Sequence, residues 1–490
     1  MIVLKIRWRL FPLILAFFIV ISGCSLITKN EAQSIFQIEE SLERSFYMIY
    51  CELNVEDKTL SAVQELNYYN NDDIEMNEIY FHVYPNAFRS KDTAPFLFND
   101  FDKAYKRGFE PGTAEILSIS KIDAKGRKLL KHSFSGEGET ILKVELDSPL
   151  KPHTRVNLKI DFKLQIPPAG ERFGYGDNNF NLGNWYPIAA VYDEKDGWNL
   201  DKYYAIGDPF YSDAADYNVT IKAPNEYIIA ASGNFLEKKE EGDMTFWIFE
   251  EVALRDFAFI ANKSFEVLEE EVDNIKVKSY FYTGDKERGR EALECGVKSI
   301  KLFNKLYGKY PYAEYSIVET EFPSGMEYPM LVYISDKYYK STYPSDPLII
   351  TIGNDQIDEA WLDEGFAAYS ETIFTERTYG KSTGKDYYTR TVENSVGEAL
   401  SSRTIDGTLL KSLSEFDNWE DYGPTAYDRG AQMLHELRNM LGDENFFKIM
   451  RSYVEQYKFK IATTEDFVKI CQEVSGKDLS NFFELWFNRN

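Results

Sequence analysis

From about Tyr50 to about Phe265 apolar residues alternate with polar ones. Val156, Leu158, Ile160, Phe162, Leu164 and Ile166 take every second position, the period of a strand with one buried face. Tyr217, Val219 and Ile221 repeat it, and Pro167-Pro168, Pro224-Asn225 and Ser232-Gly233 separate such runs. This predicts a β-sheet region of roughly 200 residues. Ahead of it, Ser34–Met48 is read as a helix. Beyond it the period lengthens. Glu287 to about Leu306 has helical spacing, broken at Tyr307-Gly308. Ser316–Phe322 and Tyr328–Ile334 are predicted strands around a Pro323-Ser324-Gly325 turn. Asp355 to about Tyr379 is a predicted helix stopped by Gly380. The remainder is helical: Ala426–Leu441 before Gly442, Glu444 to about Tyr457, and Thr463–Ser475, with Thr463 and Asp466 spaced as a capping box and Gly476 as the stop. The order of elements gives a multidomain α+β chain.

Composition narrows the function. The 490 residues carry a net charge of -25, which excludes the basic footprint of a nucleic-acid binder and electrostatic adhesion to an anionic membrane. At the N-terminus, Lys5, Arg7 and Arg9 precede the apolar run Leu10–Ile21, too short to span a bilayer and suited to a signal segment. Ile21-Ser22-Gly23-Cys24 then resembles a bacterial lipobox. It implies a signal segment 1–24, lipid on Cys24, and a body outside the cytoplasm attached to the bacterial cell membrane. An uncleaved N-terminal anchor is the alternative. Cys51, Cys295 and Cys471 are an odd set, far apart, and read as buried free thiols.

Three side chains stand out chemically. On a helix, Ile357, Ala360, Trp361, Glu364, Ala367 and Ala368 share one face, so Glu364 needs a metal, a cation or a proton. Glu327 follows Gly325-Met326 at the start of a strand, where a carboxylate can hold a free α-ammonium; a surface Glu after a turn is the plain alternative. Tyr427 shares a helix face with Gly430, Ala431, Leu434 and Leu441, the place of a core Tyr or of a hydroxyl aimed at an oxyanion. Tyr422 is a second such candidate. Asp355, Asp358, Glu359 and Asp363 form either a hard-cation cluster or an acidic helix start.

Several stretches carry a resemblance: SGMEYPMLVYIS at Ser324–Ser335, GNDQIDEAWLDEGFAAYSETIF at Gly353–Phe374, the aromatic run Asn184–Ile221, Tyr427-Asp428-Arg429-Gly430-Ala431, and KDLSNFFELWF at Lys477–Phe487. Together they resemble the membrane alanyl aminopeptidase family of zinc peptidases, gluzincins with a thermolysin-like core. The resemblance implies a saddle-like β-rich domain at 25–265, a thermolysin-like domain at 266–380 and a helical domain at 381–490. It implies that Glu364 is the third zinc ligand, that Gly325, Met326 and Glu327 bind the substrate backbone and its N-terminal amine, and that Tyr427 stabilises the oxyanion.

The family's H-E-x-x-H helix is missing. The chain has four histidines, His82, His132, His153 and His435, and none lies between the two active-site motifs. The family's spacing projects the second His onto Ser345, the first onto Ser341 and the base onto Thr342. Zinc binding is therefore doubtful, and without it no water is activated near neutral pH. Three readings follow: a crippled homologue that binds peptides with free N-termini, an active zinc aminopeptidase with a rebuilt site, and a product damaged by deletion.

Overall fold

A computed structural model describes residues 43–97, 100–193, 197–340 and 354–487. Cys24, Ser341, Thr342 and Ser345 lie outside the described residues. The β-rich part is built on an eight-stranded sheet. At its centre Phe46–Asn54 runs parallel to Ala215–Pro224 and antiparallel to Thr59–Tyr69. The alternating run forms the strand Arg155–Gln165, paired with Thr59–Tyr69 on one side and Thr113–Asp123 on the other. Its Leu158, Ile160, Phe162 and Leu164 are buried. Two four-stranded sheets and a two-stranded one, Tyr192–Asp193 with Gly197–Trp198, accompany the eight-stranded sheet among the described residues.

The expected helix Ser34–Met48 is wrong in its described end, because Phe46–Met48 opens the first strand. Tyr47, Ile49, Cys51 and Leu53 are buried at alternate positions, a period of two that overrides local helical preference.

The site rests on a five-stranded sheet in the order Phe265–Val272, Ile275–Tyr282, Glu314–Thr320, Leu331–Ser335, Gly325–Tyr328. The expected strand Tyr328–Ile334 is instead two antiparallel strands, with Met330 at φ 65 in the connection. That hairpin makes Gly325–Tyr328 an edge strand. The helix Lys286–Leu306 packs on this sheet as its spacing predicts, with Leu293, Ile300 and Phe303 buried.

The helix carrying Glu364 starts at Trp361, later than predicted. The Asp355 carboxylate accepts the N–H groups of Ile357 and Asp358, a side-chain turn that replaces the first helical turn. The C-terminal helices follow the sequence signals. Gly442, at φ 78, breaks Gly430–Tyr457, and Thr464–Ser475 has the Thr463/Asp466 capping box and Gly476 in the left-handed conformation. Cys51, Cys295 and Cys471 are buried, and none is in a disulfide. Among the described residues no helix is long and apolar enough to cross a membrane.

One buried acid makes stability depend on pH. Glu319, fully buried, accepts the Tyr282 N–H at 2.8 Å through one oxygen, while the other has no partner. Burial pushes its carboxyl up to about 8. The folded chain therefore holds a proton that the unfolded chain has released, and stability falls as pH rises from about 4.5 to about 8. Glu319→Gln removes that slope. Thermal unfolding should show the variant gaining on the parent by about 1 kcal/mol or more between pH 5 and pH 8.5. Parallel curves across this range would sink the assignment.

Candidate functional site

Glu364 lies in the first turn of its helix, 3 % exposed. Its neighbour Gly365 touches the backbone of Gly430: a Cβ on Gly365 would stand 2.8 Å from Gly430 Cα. This contact brings two helical segments closer than any side chain allows and sets Tyr422 and Tyr427 over Glu364. Tyr422 donates its hydroxyl to Glu364 Oε1 at 2.8 Å, and the Tyr427 ring meets that of Tyr422 edge to face beside the same carboxylate. A widened helical turn, Gly423–Arg429, lets both rings reach the same carboxylate.

Glu327 lies on the edge strand, paired with Val332. Its carboxylate converges with those of Asp208 and Asp363, their oxygens within 4.8 Å of one another. Gly207, at φ 66, lies against the Tyr422 hydroxyl and turns the chain so that Asp208 faces inward. Arg172, 5 % exposed, answers part of this charge. It donates to Asp208 Oδ1 at 2.5 Å and to the Gly207 carbonyl at 3.1 Å, and its Nε contacts Met326 Sδ at 3.2 Å. The guanidinium also lies over the Phe210 and Phe322 rings. Burial, then Asp208 and Asp363, push the Glu327 carboxyl well above the usual range. Burial, then Asp208, Asp363 and Glu327, do the same to Glu364. Burial and Asp208 push Asp363 up to about 7. One Asp363 oxygen is buried with no partner.

The expected acidic cluster at the helix start is dispersed. Asp355 caps its own turn, Glu359 accepts the Thr464 N–H at 3.0 Å, and of the four only Asp363 joins the trio. Sequence reasoning missed Asp208 and Arg172, although Asp208 lies inside the aromatic run already singled out. An Asp between Gly207 and Pro209 was the available signal. It reads as a turn until the fold carries it to Glu327.

The donor set does not fit the zinc centre that the motifs imply. Buried His82 faces the Asn199 carbonyl and stacks on Tyr84, and burial pushes it down to about 4. His435 is stacked on Tyr388 and hydrogen-bonded to the Tyr369 hydroxyl. His132 is exposed, and His153 pairs with Asp73 at the surface. None belongs to the cluster, which among the described residues is made of oxygen donors only.

Comparison with solved structures decides the architecture. An M1 zinc metallopeptidase from Deinococcus radiodurans superposes with a TM-score of 0.60 over 92% of this chain and 95% of that one, at 15% identity. The fold is that of the M1 zinc metallopeptidases. A two-domain M1 zinc metallopeptidase mutant bound to L-arginine matches equally, at 16% identity, with 91% and 94% of the two chains covered. The Peptidase family M1 domain profile matches residues 351–486 of the M1-like chain. Aminopeptidase M1-D of Oryza sativa subsp. japonica is 24% identical over 298 residues, 56% of this chain and 34% of its own. Endoplasmic reticulum aminopeptidase 2 of Homo sapiens is 22% identical over 374 residues, 71% and 38% of the two chains. The chain thus spans about a third of the length of the curated relatives it matches.

Proposed function

We propose that this M1-fold protein binds peptide N-termini without hydrolysing them, outside the cytoplasm of a bacterial cell and attached by lipid on Cys24. The observation that carries this reading is Glu327 on an open sheet edge, among carboxylates with no histidine beside them. An α-ammonium entering the trio exchanges water for charge-assisted hydrogen bonds and relieves the repulsion between Asp208, Glu327 and Asp363. The edge strand Gly325–Met326 extends the peptide backbone by strand addition. Tyr427 donates to the first peptide carbonyl, and Tyr422 holds Glu364 in place. Without a metal-bound water no nucleophile attacks that carbonyl. In this reading the cleft lies among the parts 25–265, 266–380 and 381–490. Solved M1 structures bound to L-arginine, L-tryptophan and a Tyr-ser-ala substrate support ligands of this class.

Calorimetric titration with a tripeptide and its N-acetylated form tests the reading. The free amine should bind, and acetylation or Glu327→Gln should each weaken binding by about ten- to a hundredfold. Equal affinity for both peptides would remove amine recognition from the site.

A further inference from the structure

We infer that Asp208, Glu327 and Asp363 form an oxygen-only site for a hard divalent cation, distinct in its ligands from the zinc centre of the fold. Three features carry this beyond an acidic cluster. The first is convergence from three unrelated elements: a loop, an edge strand and a helix start. Two oxygens on one ion stand at most twice the metal–oxygen bond apart, about 4–5 Å for Mg²⁺ to Ca²⁺, and the three carboxylates meet that limit within 4.8 Å.

The second feature is the stranded Asp363 oxygen. Asp363 is 6 % exposed, and the partnerless atom has lost its water. The third is charge. Asp208, Glu327 and Asp363 repel one another, and Arg172 is paired with Asp208. A divalent cation offsets that repulsion through all three carboxylates at once. The donors are all carboxylate oxygens, the ligands chosen by Ca²⁺, Mg²⁺ and Mn²⁺. Because Glu327 serves both ligands, cation and peptide N-terminus exclude one another.

The test uses Mn²⁺ alone on the metal-stripped full chain, followed by the loss of the free-ion electron paramagnetic resonance signal. The expected result is saturable binding of one ion per chain, weakened about tenfold or more by Asp363→Asn and by Glu327→Gln. Thermal unfolding of each variant confirms that it is folded; if Asp363→Asn is not, Glu327→Gln decides. No binding up to about 5 mM Mn²⁺ overturns the site, as does undiminished binding in the folded variants. Peptide titration in chelator separates this inference from the proposed function on which its competition clause rests. Peptide binding without Mn²⁺ binding removes only the cation site, and the reverse removes only the peptide reading.

Discussion

Arg172→Met should destabilise the protein by about 3–5 kcal/mol, the cost of leaving a buried charge without its partner. Arg172 is the cation in direct contact with Asp208, and it also lowers the proton affinity of Glu327. Met fills much of the same volume and can still pack between Phe210 and Phe322, so lost packing is a small part of the effect. The cost is electrostatic: Asp208 keeps no counter-charge, and the acids around it must take up protons or separate. Adding Asp208→Asn to Arg172→Met should therefore recover more than half of the loss, because the uncompensated charge goes with it. Urea denaturation of the parent, both single variants and the double variant gives the comparison. A loss below about 1 kcal/mol for Arg172→Met, or no recovery in the double variant, would contradict the role given to Arg172.

Gly430→Val should be as severe, for a different reason. A Cβ on Gly430 would stand 2.7 Å from Gly365 Cα, a backbone atom that no rotamer change can move. Separating the two helical segments opens the ring contacts between them, Phe366 with Tyr453 and Tyr369 with His435 and Phe446. Overpacking of this kind costs about 3 kcal/mol or more. It also withdraws Tyr427 from Glu364, so peptide affinity should fall with stability, whereas Gly423→Ala, where a Cβ meets nothing within 4 Å, should change neither. Melting and binding measured on both variants would show this, and a Gly430→Val protein that melts with the parent would refute the close approach.

How far the sequence could be read follows from the range of the interactions. Local signals were reliable. The alternation in Arg155–Gln165, the capping box at Thr463 and the stops at Gly380, Gly442 and Gly476 act over a few residues, and the fold keeps them. Errors arose where a side chain or a distant strand competes with local preference, as at Asp355 and at Phe46–Met48. At the candidate site, Glu327, Glu364 and Tyr427 stand out in the sequence because each sits in a dense motif, while Tyr422 is a candidate only as a second tyrosine five residues before Tyr427. The structure brings Glu364 to both tyrosines and Glu327 to a carboxylate trio. Asp208 and Arg172 were not legible, since their meaning depends on a contact with the distant Glu327 and Met326. Of the acids that helical spacing groups at the helix start, only Asp363 meets Asp208 and Glu327, because the turn at Asp355 separates it from the others.

The most direct measurement incubates the purified full chain with zinc and a tripeptide bearing a free N-terminus, and then recovers bound and free peptide by equilibrium dialysis and mass analysis. The expected result is peptide retained by the protein and recovered at its full length. Peptide recovered shorter by its first residue would contradict the loss of the hydrolytic centre, and peptide not retained at all would contradict the recognition assigned to Glu327.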